Sequence, residues 1–543
     1  MIKNPIIPGF NPDPSIVRVG DDYYCATSTF EWYPGVQIHH SRDLVNWRLV
    51  SRPLNRPSLL DLRGVPDSCG VWAPCLSWNE GHFWLIYTVV RRFDGNFKDT
   101  HNYLTRSASI DGQWEEAIYL NSSGFDPSLF HDDDGRRWLV NMTWDGRHNR
   151  NRFGGVLLQE YDHETRSLTG EIRNIFPGTA LGCTEAPHLY RREGWYYLVT
   201  AEGGTGYGHA MTLARSRSLT GPFEVDPQGY LLSARNHPEL PLQRTGHGDF
   251  VDTQDGDHYL VHLCSRPLAG TRRSPLGRET ALQEVQWSED DWLRLKTAAS
   301  GDGLATLELT APKLPLQTWP EEPTRHDFDQ GQLPEPFQWL RTPEPSRILD
   351  LESRPGFLRL HGRESLGSQF EQALVARRQE HFTFEAETCL EFSPDNTQQC
   401  AGLVCYYNAH KYHYCFLSID DQGKRFVDLM SCEADESLAA VYPLHESREP
   451  PGQTDPARFL PDRGAVWLRC RVDGASLCFD WSLDGIHWNM LPALLDHSLL
   501  SDEAGKGEGA NFTGAFVGLC CQDLSGQAIA ADFDFFDYRP QGA

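Results

Sequence analysis

The stretch Gly194-Trp-Tyr-Tyr-Leu198 decides the fold, because its pattern of a Gly before an aromatic-rich apolar run recurs through the first half of the chain. The other four copies are Gly20-Asp-Asp-Tyr-Tyr24, Gly81-His-Phe-Trp-Leu85, Gly135-Arg-Arg-Trp-Leu139 and Gly256-Asp-His-Tyr-Leu260. Successive copies are 54 to 62 residues apart, which leaves room for a small sheet and its turns. Strand-rich repeats of this length are typical of a β-propeller with one blade per repeat, so five blades are predicted.

A second element lies seven to nine residues before each of these Gly residues. Its copies, in chain order, are Asp13-Pro-Ser, Trp72-Ala-Pro, Asp126-Pro-Ser, Glu185-Ala-Pro and His247-Gly-Asp. Equivalent positions of propeller blades face the same place, and three of the copies carry a carboxylate at the equivalent position. We therefore expect Asp13, Asp126 and Glu185 to meet at one mouth of the central channel.

The composition excludes several classes of function. The chain has 49 Lys and Arg against 75 Asp and Glu, and its net charge of −26 opposes binding to nucleic acid or to anionic lipid. No run approaches the length of about 18 apolar residues that a membrane span needs, and the N-terminus shows no apolar signal region, so a cytoplasmic location away from membranes is expected. The 14 scattered cysteines, with no CxxC pair, are interpreted as buried free thiols rather than a disulfide framework.

A change in the sequence pattern, from repeated motifs to period-two alternation, divides the chain into two domains. Residues 1–310 carry the repeats, and residues 311–327 contain several Pro residues, as a linker does. In the remaining part, 328–543, residues 382–392 alternate with period two, which is typical of a strand with one buried face. The predicted fold class is all-β, a five-bladed β-propeller followed by a β-sandwich of the concanavalin-like jelly-roll type.

Paired carboxyl groups suit glycoside hydrolysis, in which one protonates the leaving oxygen and the other activates water or attacks carbon. A third carboxylate raises the pKa of the acid by like-charge repulsion, so that the acid stays protonated near neutral pH. Each Asp-Pro motif alone would be interpreted as a turn. Three acids at one phase of a fivefold repeat are poorly explained by turns, so a catalytic set is predicted.

These motifs resemble those of glycoside hydrolase family 43 and, within it, the two-domain β-xylosidases. The matching stretches are Asn4-Pro-Ile-Ile-Pro-Gly-Phe-Asn-Pro-Asp13-Pro-Ser, Gly70-Val-Trp-Ala-Pro74, Gly124-Phe-Asp-Pro-Ser128, Thr184-Glu-Ala-Pro187, Gly246-His-Gly-Asp249, Gly277-Arg-Glu-Thr280 and Phe512-Thr-Gly-Ala515. The resemblance covers nearly the whole chain. It implies that Asp13 is the general base, that Glu185 is the general acid, and that Asp126 modulates the pKa of the acid and orients the substrate. It also implies hydrolysis with inversion.

Four further residues are predicted to form the walls of a sugar pocket. Trp72 and Phe125 share the repeat phase of the acids, so with Phe30 they are expected to pack on the apolar face of a sugar, the alternative being blade packing. The resemblance implies that Arg278 hydrogen-bonds sugar hydroxyls, a task that suits its rigid fork of donors. A surface salt bridge with Glu279 is the alternative for Arg278.

Three more predictions concern loop residues. Thr205 lies in a Gly-rich stretch that no helix follows, so it is interpreted as a pocket contact and not as part of a phosphate loop. The resemblance places His247 under the sugar, where some relatives bind calcium or its waters; a buried neutral His is the alternative, and both stay open. Phe512 matches a loop that closes the pocket in relatives, which would favour cutting at chain ends.

The function that follows from the resemblance is exo-acting release of xylose from the non-reducing end of β-1,4-xylo-oligosaccharides, with side activity on α-L-arabinofuranosides. A protein that is mainly an α-L-arabinofuranosidase is one alternative. A retaining fructosidase is another, but the motifs Asn-Asp-Pro-Asn-Gly, Arg-Asp-Pro and Glu-Cys that are typical of it are absent. A non-catalytic carbohydrate-binding propeller is the third, and it would lack one of the acids. No cofactor is expected to be required, calcium stays open, and the resemblance implies a homo-oligomer, a dimer or a tetramer.

Overall fold

The protein forms two compact units in a computed structural model, which describes residues 1–296, 303–435, 438–445, 456–505 and 511–542. The first unit comprises Met1–Leu60, Cys69–Arg266 and Arg278–Pro320, and the second comprises Asp61–Ser68, Pro267–Gly277 and Glu321–Ala543. No sequence pattern indicated that two short segments of the first half belong to the second unit. The predicted linker and domain bounds stay a prediction.

The first unit consists of five antiparallel blades, each with strands in chain order from the central channel outward. Blades 1 and 2 contain Ser15–Val19, Asp22–Thr27, Gln37–Ser41 and Arg48–Ser51, then Gly70–Asn79, His82–Arg92, Asp99–Ser107 and Ile118–Asn121. Blade 3 contains Ser128–His131, Arg137–Trp144, Phe153–Asp162 and Ser167–Phe176. Blades 4 and 5 contain Glu185–Arg192, Trp195–Glu202, Ala210–Ser216, Glu224–Val225 and Leu232–Ser233, then Gln243–Asp252, His258–Ser265, Glu279–Trp287 and Leu293–Leu295. A short strand, Trp32–Tyr33, lies within the blade 1 segment.

The repeated Gly and the aromatic run after it have separate structural tasks. Each of the five Gly residues, Gly20, Gly81, Gly135, Gly194 and Gly256, turns the hairpin between the first two strands of its blade with a positive φ between 64° and 86°, which Gly adopts without strain. The second strands carry apolar side chains that pack between neighbouring blades. Tyr197 and Val199, for example, pack with Leu260 and Trp292, and Val140 packs with Leu198. The repeat therefore encodes both the turn and the core of each blade.

The ring closes through the N-terminal segment. Ile2–Lys3 pairs with Glu308–Leu309, and the Asn4 side chain makes two hydrogen bonds of 2.8 Å to the backbone of Leu282 in blade 5. The inner strands of blades 5 and 1 also lie side by side. Since closure removes exposed sheet edges, it stabilises the propeller as one ring.

The second unit contains two antiparallel sheets that enclose one apolar core. One sheet has the order Leu349–Asp350, Leu358–His361, Ala530–Pro540, Thr383–Glu391, Val466–Asp473, Ser476–Ser482 and Trp488–Met490, with Arg325–His326 beside the third strand and Leu495–Asp496 beside the sixth. The other has the order Arg425–Glu433, Lys411–Ile419, Gln399–Asn408, Phe516–Asp523, Ala373–Arg378 and Phe337–Leu340. Three short 3₁₀ turns complete the described elements: Pro345–Arg347, Pro456–Arg458 and His497–Leu499. The predicted all-β fold of a five-bladed propeller followed by a sandwich is confirmed.

All 14 cysteines are free thiols, and two of them, Cys183 and Cys478, are only half-buried. Across the described ranges, no helix has the length and apolar character needed to cross a membrane.

Candidate active site

At or beside the second repeated motif of each blade, a residue adopts the left-handed region of backbone conformation. The five residues are Asp13, Ala73, Asp126, Ala186 and His247, with φ of 57°, 34°, 52°, 47° and 36°. Positive φ is uncommon outside Gly, and such strained backbone is found mainly at functional sites. Every blade of the propeller thus has strained backbone at or beside its copy of the motif.

The predicted equivalence of the three acids needs a correction of one residue for Glu185. Asp13 and Asp126 occupy the left-handed position itself. In blade 4 that position is Ala186, and Glu185 precedes it, as Trp72 precedes Ala73 in blade 2. The pairing with the second strand shifts register directly after Glu185 and directly after Trp72, and such a bulge re-aims the side chains beside it. Carboxylates therefore come to the channel from two adjacent strand positions.

Asp13 is buried among cationic and hydrogen-bonding groups. Ser28 Oγ donates to Oδ2 at 2.7 Å, and Arg278 Nη1 lies 3.1 Å from Oδ1. His247 Nδ1 lies 3.6 Å from the same oxygen. Burial raises the pKa of Asp13, but the Arg278 charge, His247 and the Ser28 hydrogen bond together hold this pKa below its usual value. Asp13 is therefore ionised at neutral pH, as a proton acceptor must be.

Arg278 joins Asp13 to a neighbouring loop. It is only 4% exposed, and its Nη1 also donates to Thr205 Oγ1 at 3.2 Å. Its guanidinium lies 5.2 Å from the centre of the Phe30 ring, within the range of a cation–π contact. Glu279, the alternative partner considered from the sequence, forms an ion pair with Arg266 at 2.7 Å.

Glu185 has the opposite electrostatic environment. Burial and the nearby charge of Asp13 raise its pKa to about 7, although Lys98 and Arg278 act against that rise. A carboxyl group with this pKa still carries a proton near neutral pH, so it is able to act as a proton donor.

Asp126 interacts electrostatically with both of the other acids. It is 8% exposed, and its Oδ2 accepts a hydrogen bond of 3.2 Å from the backbone N–H of Ala186. Burial and the charges of Glu185 and Asp13 raise the pKa of Asp126 well above its usual value. Because Asp126 and Glu185 repel each other when both are ionised, the pair retains a proton near neutral pH, and its two ionisations belong to the pair.

An aromatic wall runs beside the acids. The ring centres of Phe30 and Trp72 are 5.7 Å apart, and those of Trp72 and Phe125 are 5.5 Å apart with planes at 87°. The row continues to Trp144, 6.4 Å from Phe125. Phe30 and Phe125 are almost fully buried, whereas Trp72 is half-buried and keeps part of its face accessible. Such a wall suits the apolar face of a pyranose ring.

Two histidines, His247 and His209, lie near Asp13, and the sequence analysis identified only His247. Burial lowers the pKa of His247 to about 4, and it lowers the pKa of His209 to about 3. His209 Nδ1 is 2.9 Å from the backbone oxygen of Arg244, and a Cβ on Gly246 would lie 2.6 Å from the His209 ring. Gly246 is thus required because this ring packs directly on the backbone. Both histidines are neutral near pH 7.

The geometry gives no metal cage of the usual kind. Within the part of the chain that the structure describes, no group of three or more His, Cys, Asp or Glu side chains is placed to hold a metal ion. Calcium binding near His247 stays an open prediction.

Not every predicted residue belongs to this group of contacts. Phe512 lies in the second unit, where its backbone N–H donates to Ser68 Oγ at 3.1 Å, and its pocket-closing role stays a prediction. Conversely, the sequence analysis missed Ser28, Lys98 and His209. Ser28 and His209 reach Asp13 from outside the repeated motifs, so no pattern in the sequence marked them.

Two family models match the chain, one in each half. The family model described as Glycosyl hydrolases family 43 matches residues 2–293. A second model, described as Beta xylosidase C-terminal Concanavalin A-like domain, matches residues 325–539.

Individual relatives cover nearly the full chain. A protein of Humicola insolens named Xylosidase/arabinosidase 43B is 53% identical over 99% of this chain and 98% of its own length. A non-reducing end α-L-arabinofuranosidase of Bacteroides ovatus is 33% identical over 99% of this chain and 94% of its own length. The crystal structure of a xylan β-1,4-xylosidase from Bacillus halodurans is 48% identical, superposes with a TM-score of 0.94, and covers 99% of this chain and 100% of that one.

Proposed function

The chain belongs to glycosyl hydrolases family 43 and is a glycosidase, and on that premise we propose that it is an exo-acting β-xylosidase. In this proposal it releases xylose, with inversion, from the non-reducing end of β-1,4-xylo-oligosaccharides. One observation carries it: a carboxylate held ionised by Arg278 and Ser28 faces the same aromatic-walled site as a carboxyl group that keeps its proton. That combination is the equipment of acid–base glycoside hydrolysis.

Asp13 acts as the general base in the proposed mechanism. It takes a proton from a water molecule as the water oxygen attacks the anomeric carbon. Glu185 gives its proton to the glycosidic oxygen as the bond to the leaving sugar breaks. The oxocarbenium-like charge that develops between them is stabilised by nearby carboxylate charge, and the product first appears as the α-anomer.

Asp126 tunes the acid and helps orient the sugar in this proposal. Its shared proton with Glu185 keeps the donor loaded near neutral pH, and the N–H of Ala186 fixes its carboxylate. Arg278 is assigned to the sugar hydroxyls because its fork of donors is already fixed by Asp13 and Thr205.

The remaining predicted contacts are assigned by where their side chains lie. Phe30, Trp72 and Phe125 provide the apolar wall, and Thr205 lies beside Arg278. His247 supports Asp13 from below as a neutral side chain. Phe512 remains assigned to pocket closure by resemblance alone, and Phe512→Ala with kinetics on xylobiose tests it; unchanged KM and kcat would remove the assignment.

Inversion sets a geometric requirement. A water molecule must fit between the base and the anomeric carbon, so the carboxyl groups of Asp13 and Glu185 should be about 6.5–9.5 Å apart. A separation near 5 Å would instead indicate a retaining enzyme with a nucleophile.

A second candidate substrate is the α-L-arabinofuranoside. It is favoured by the names of the relatives from Humicola insolens and Bacteroides ovatus, which include arabinosidase and α-L-arabinofuranosidase. Arabinofuranose and xylopyranose present similar hydroxyls to one pocket, so we propose this as a side activity.

The proposed reaction moves protons and one glycosyl group, so it needs no cofactor. Calcium near His247 would be a structural addition, detected as a rise of Tm when calcium is added to metal-depleted protein. The proposal also includes a homo-oligomer, a dimer or tetramer, and a cytoplasmic location, which suits substrates small enough to be imported.

Proton NMR of the first product settles substrate and stereochemistry together. With xylobiose, the α-anomeric signal of xylose should appear before mutarotation, and an aryl α-L-arabinofuranoside should be hydrolysed more slowly. An initial β-anomer from xylobiose would contradict inversion. Faster release of arabinose than of xylose would make the arabinofuranoside the main substrate.

A further inference from the structure

The central channel of the propeller contains a second cavity beyond the acids. It has a volume of about 470 Å³ and is lined by the inner strands of all five blades. We call it the lower cavity, and its walls include Ile16, Ser77, Phe130, His188, Tyr190, Asp249, Phe250 and Trp287. None of the predicted active-site residues lines it.

The lower cavity lies further along the same strands that carry the acids. In blade 4 the strand passes from Glu185 to His188 and then to Tyr190, and in blade 3 Phe130 lies on the strand Ser128–His131, which begins two residues after Asp126. At about 3.3 Å per residue, the five residues from Glu185 to Tyr190 span roughly 16 Å. Asp133, Arg191 and Asp252 at its rim are exposed, so the cavity opens to solvent away from the acids.

His188 is a polar group of this cavity that makes no hydrogen bond to the described residues, and His131 Nδ1 in the same wall is also buried without a partner. His188 is 8% exposed, and its Nδ1 is 3.9 Å from Asp249 Oδ2, beyond hydrogen-bond distance. Among the described residues, neither of its ring nitrogens makes a hydrogen bond. Burial lowers the pKa of His188, so the ring is neutral and offers one donor and one acceptor. Neither nitrogen is among the enclosed polar atoms of the described residues, so both are accessible from the cavity and available to a bound molecule.

Asp249 and Arg191, two charged groups of the cavity, already have hydrogen-bond or ion-pair partners within the protein. The Asp249 carboxylate accepts hydrogen bonds from Ser15 Oγ at 3.0 Å, from the Ile16 N–H at 2.9 Å and from Tyr190 Oη. Arg191 lies 2.8 Å from Asp132. The Asp249 oxygens are therefore already occupied by neutral donors, and the negative charge that Asp249 keeps opposes an anionic ligand, so a neutral molecule is the ligand class that fits.

Aromatic rings provide the other half of the recognition. Tyr190 and Phe250 stack with ring centres 3.8 Å apart, and Trp287 stands edge-on to Phe250 at 6.2 Å. Phe130 lines the cavity as well. Flat apolar faces beside a few hydrogen-bonding groups match a sugar ring, which has apolar C–H faces and a polar rim, and the volume falls in the range of about 300–1,000 Å³ of small-molecule sites.

We propose that the lower cavity is a second, non-catalytic binding site for a neutral mono- or disaccharide. The imidazole of His188 exchanges hydrogen bonds with sugar hydroxyls, and the cluster of Tyr190, Phe250 and Trp287 packs beside the ring. The site is separate from the acids, and only the choice of xylose as the probe rests on the proposed function.

Calorimetric titration with D-xylose tests the proposal. The wild-type protein should bind two equivalents, and Arg278→Ala should keep the one in the lower cavity. His188→Leu, which removes both ring nitrogens, should weaken that equivalent at least tenfold, whereas His188→Gln should restore part of it. His82→Leu, on blade 2 outside the cavity, is the matched control and should leave both equivalents. Thermal unfolding of each variant verifies that it is folded.

The outcomes separate this proposal from the proposed function. A single equivalent that is lost in Arg278→Ala and retained in His188→Leu would overturn the second site and leave the catalytic assignment intact. A single equivalent lost only in His188→Leu would support the second site and count against product binding beside the acids. If D-xylose, D-glucose and xylobiose all fail to bind Arg278→Ala, the saccharide site is refuted.

Discussion

The Asp13 side and the Glu185 side of the site use the same functional group under opposite conditions. Asp13 receives a hydrogen bond from Ser28 and the charge of Arg278, and its pKa is lowered. Among the described residues, no side chain donates a hydrogen bond to the Glu185 carboxyl group; burial and the charge of Asp13 raise its pKa to about 7. The comparison teaches that the role of a carboxyl group here follows from its neighbours and not from its own chemistry.

Removing the base should have the largest effect. In Asp13→Ala no group remains to activate water, so kcat should fall by about 10²–10⁴-fold on xylobiose and on an aryl xyloside alike. Azide, a nucleophile that needs no deprotonation, should restore part of the rate by forming the α-xylosyl azide. Asp21→Ala, an exposed carboxylate of the same blade, serves as control. Retention of full activity in Asp13→Ala would remove Asp13 from the mechanism.

Removing the acid should reduce the rates on two substrates by different factors, whereas removing the base should reduce both rates alike. Glu185→Ala should reduce kcat on xylobiose by about 10²–10⁴-fold, because an alcohol leaves poorly without a proton. The loss on an aryl xyloside should be much smaller, since a phenolate leaves without help. Glu193→Ala, at the exposed hairpin of the same blade, is the control. Equal losses on both substrates would show that the acid is another residue.

Changing Asp126 should shift the pH profile more than the maximum rate. Activity requires a proton on Glu185, and in the wild type the last proton of the Asp126–Glu185 pair leaves at raised pH because two carboxylates repel. Asp126→Asn removes that repulsion, so the alkaline limb of kcat/KM should move to lower pH. Asp133→Asn is the control. An alkaline limb that stays in place or moves upward would contradict the shared proton.

The smallest expected effect concerns Ser28. Ser28→Ala removes the 2.7 Å hydrogen bond that stabilises ionised Asp13, so the pKa of Asp13 should rise and the acid limb of kcat/KM should move to higher pH. The free energy of unfolding should fall by about 0.5–1.5 kcal/mol. Ser41→Ala, which removes another buried hydroxyl of blade 1, should lower Tm without moving the limb. A Ser28→Ala profile identical to the wild type would mean that the neighbouring charges, and not the Ser28 hydrogen bond, lower the pKa of Asp13.

The fold followed from the sequence because its repeat carries local information. Each Gly of the five motifs turns a hairpin, and each aromatic run fills the space between blades, so both signals are visible without long-range contacts. The phase of the acids was predicted less well. Glu185 precedes the left-handed residue of its blade, whereas Asp13 and Asp126 occupy it, and a bulge is invisible in the spacing of residues.

The sequence by itself determined the five blades and the sandwich and predicted a set of three acids, since hairpin turns, alternation and repeated motifs are properties of neighbouring residues. Only the tertiary structure decided the protonation of those acids. Ser28, His209 and Arg278 reach Asp13 from distant points of the chain, and burial depends on every blade at once. The pKa of a carboxyl group depends on all charges, hydrogen bonds and burial around it in space, and the order of residues in the sequence does not give these neighbours.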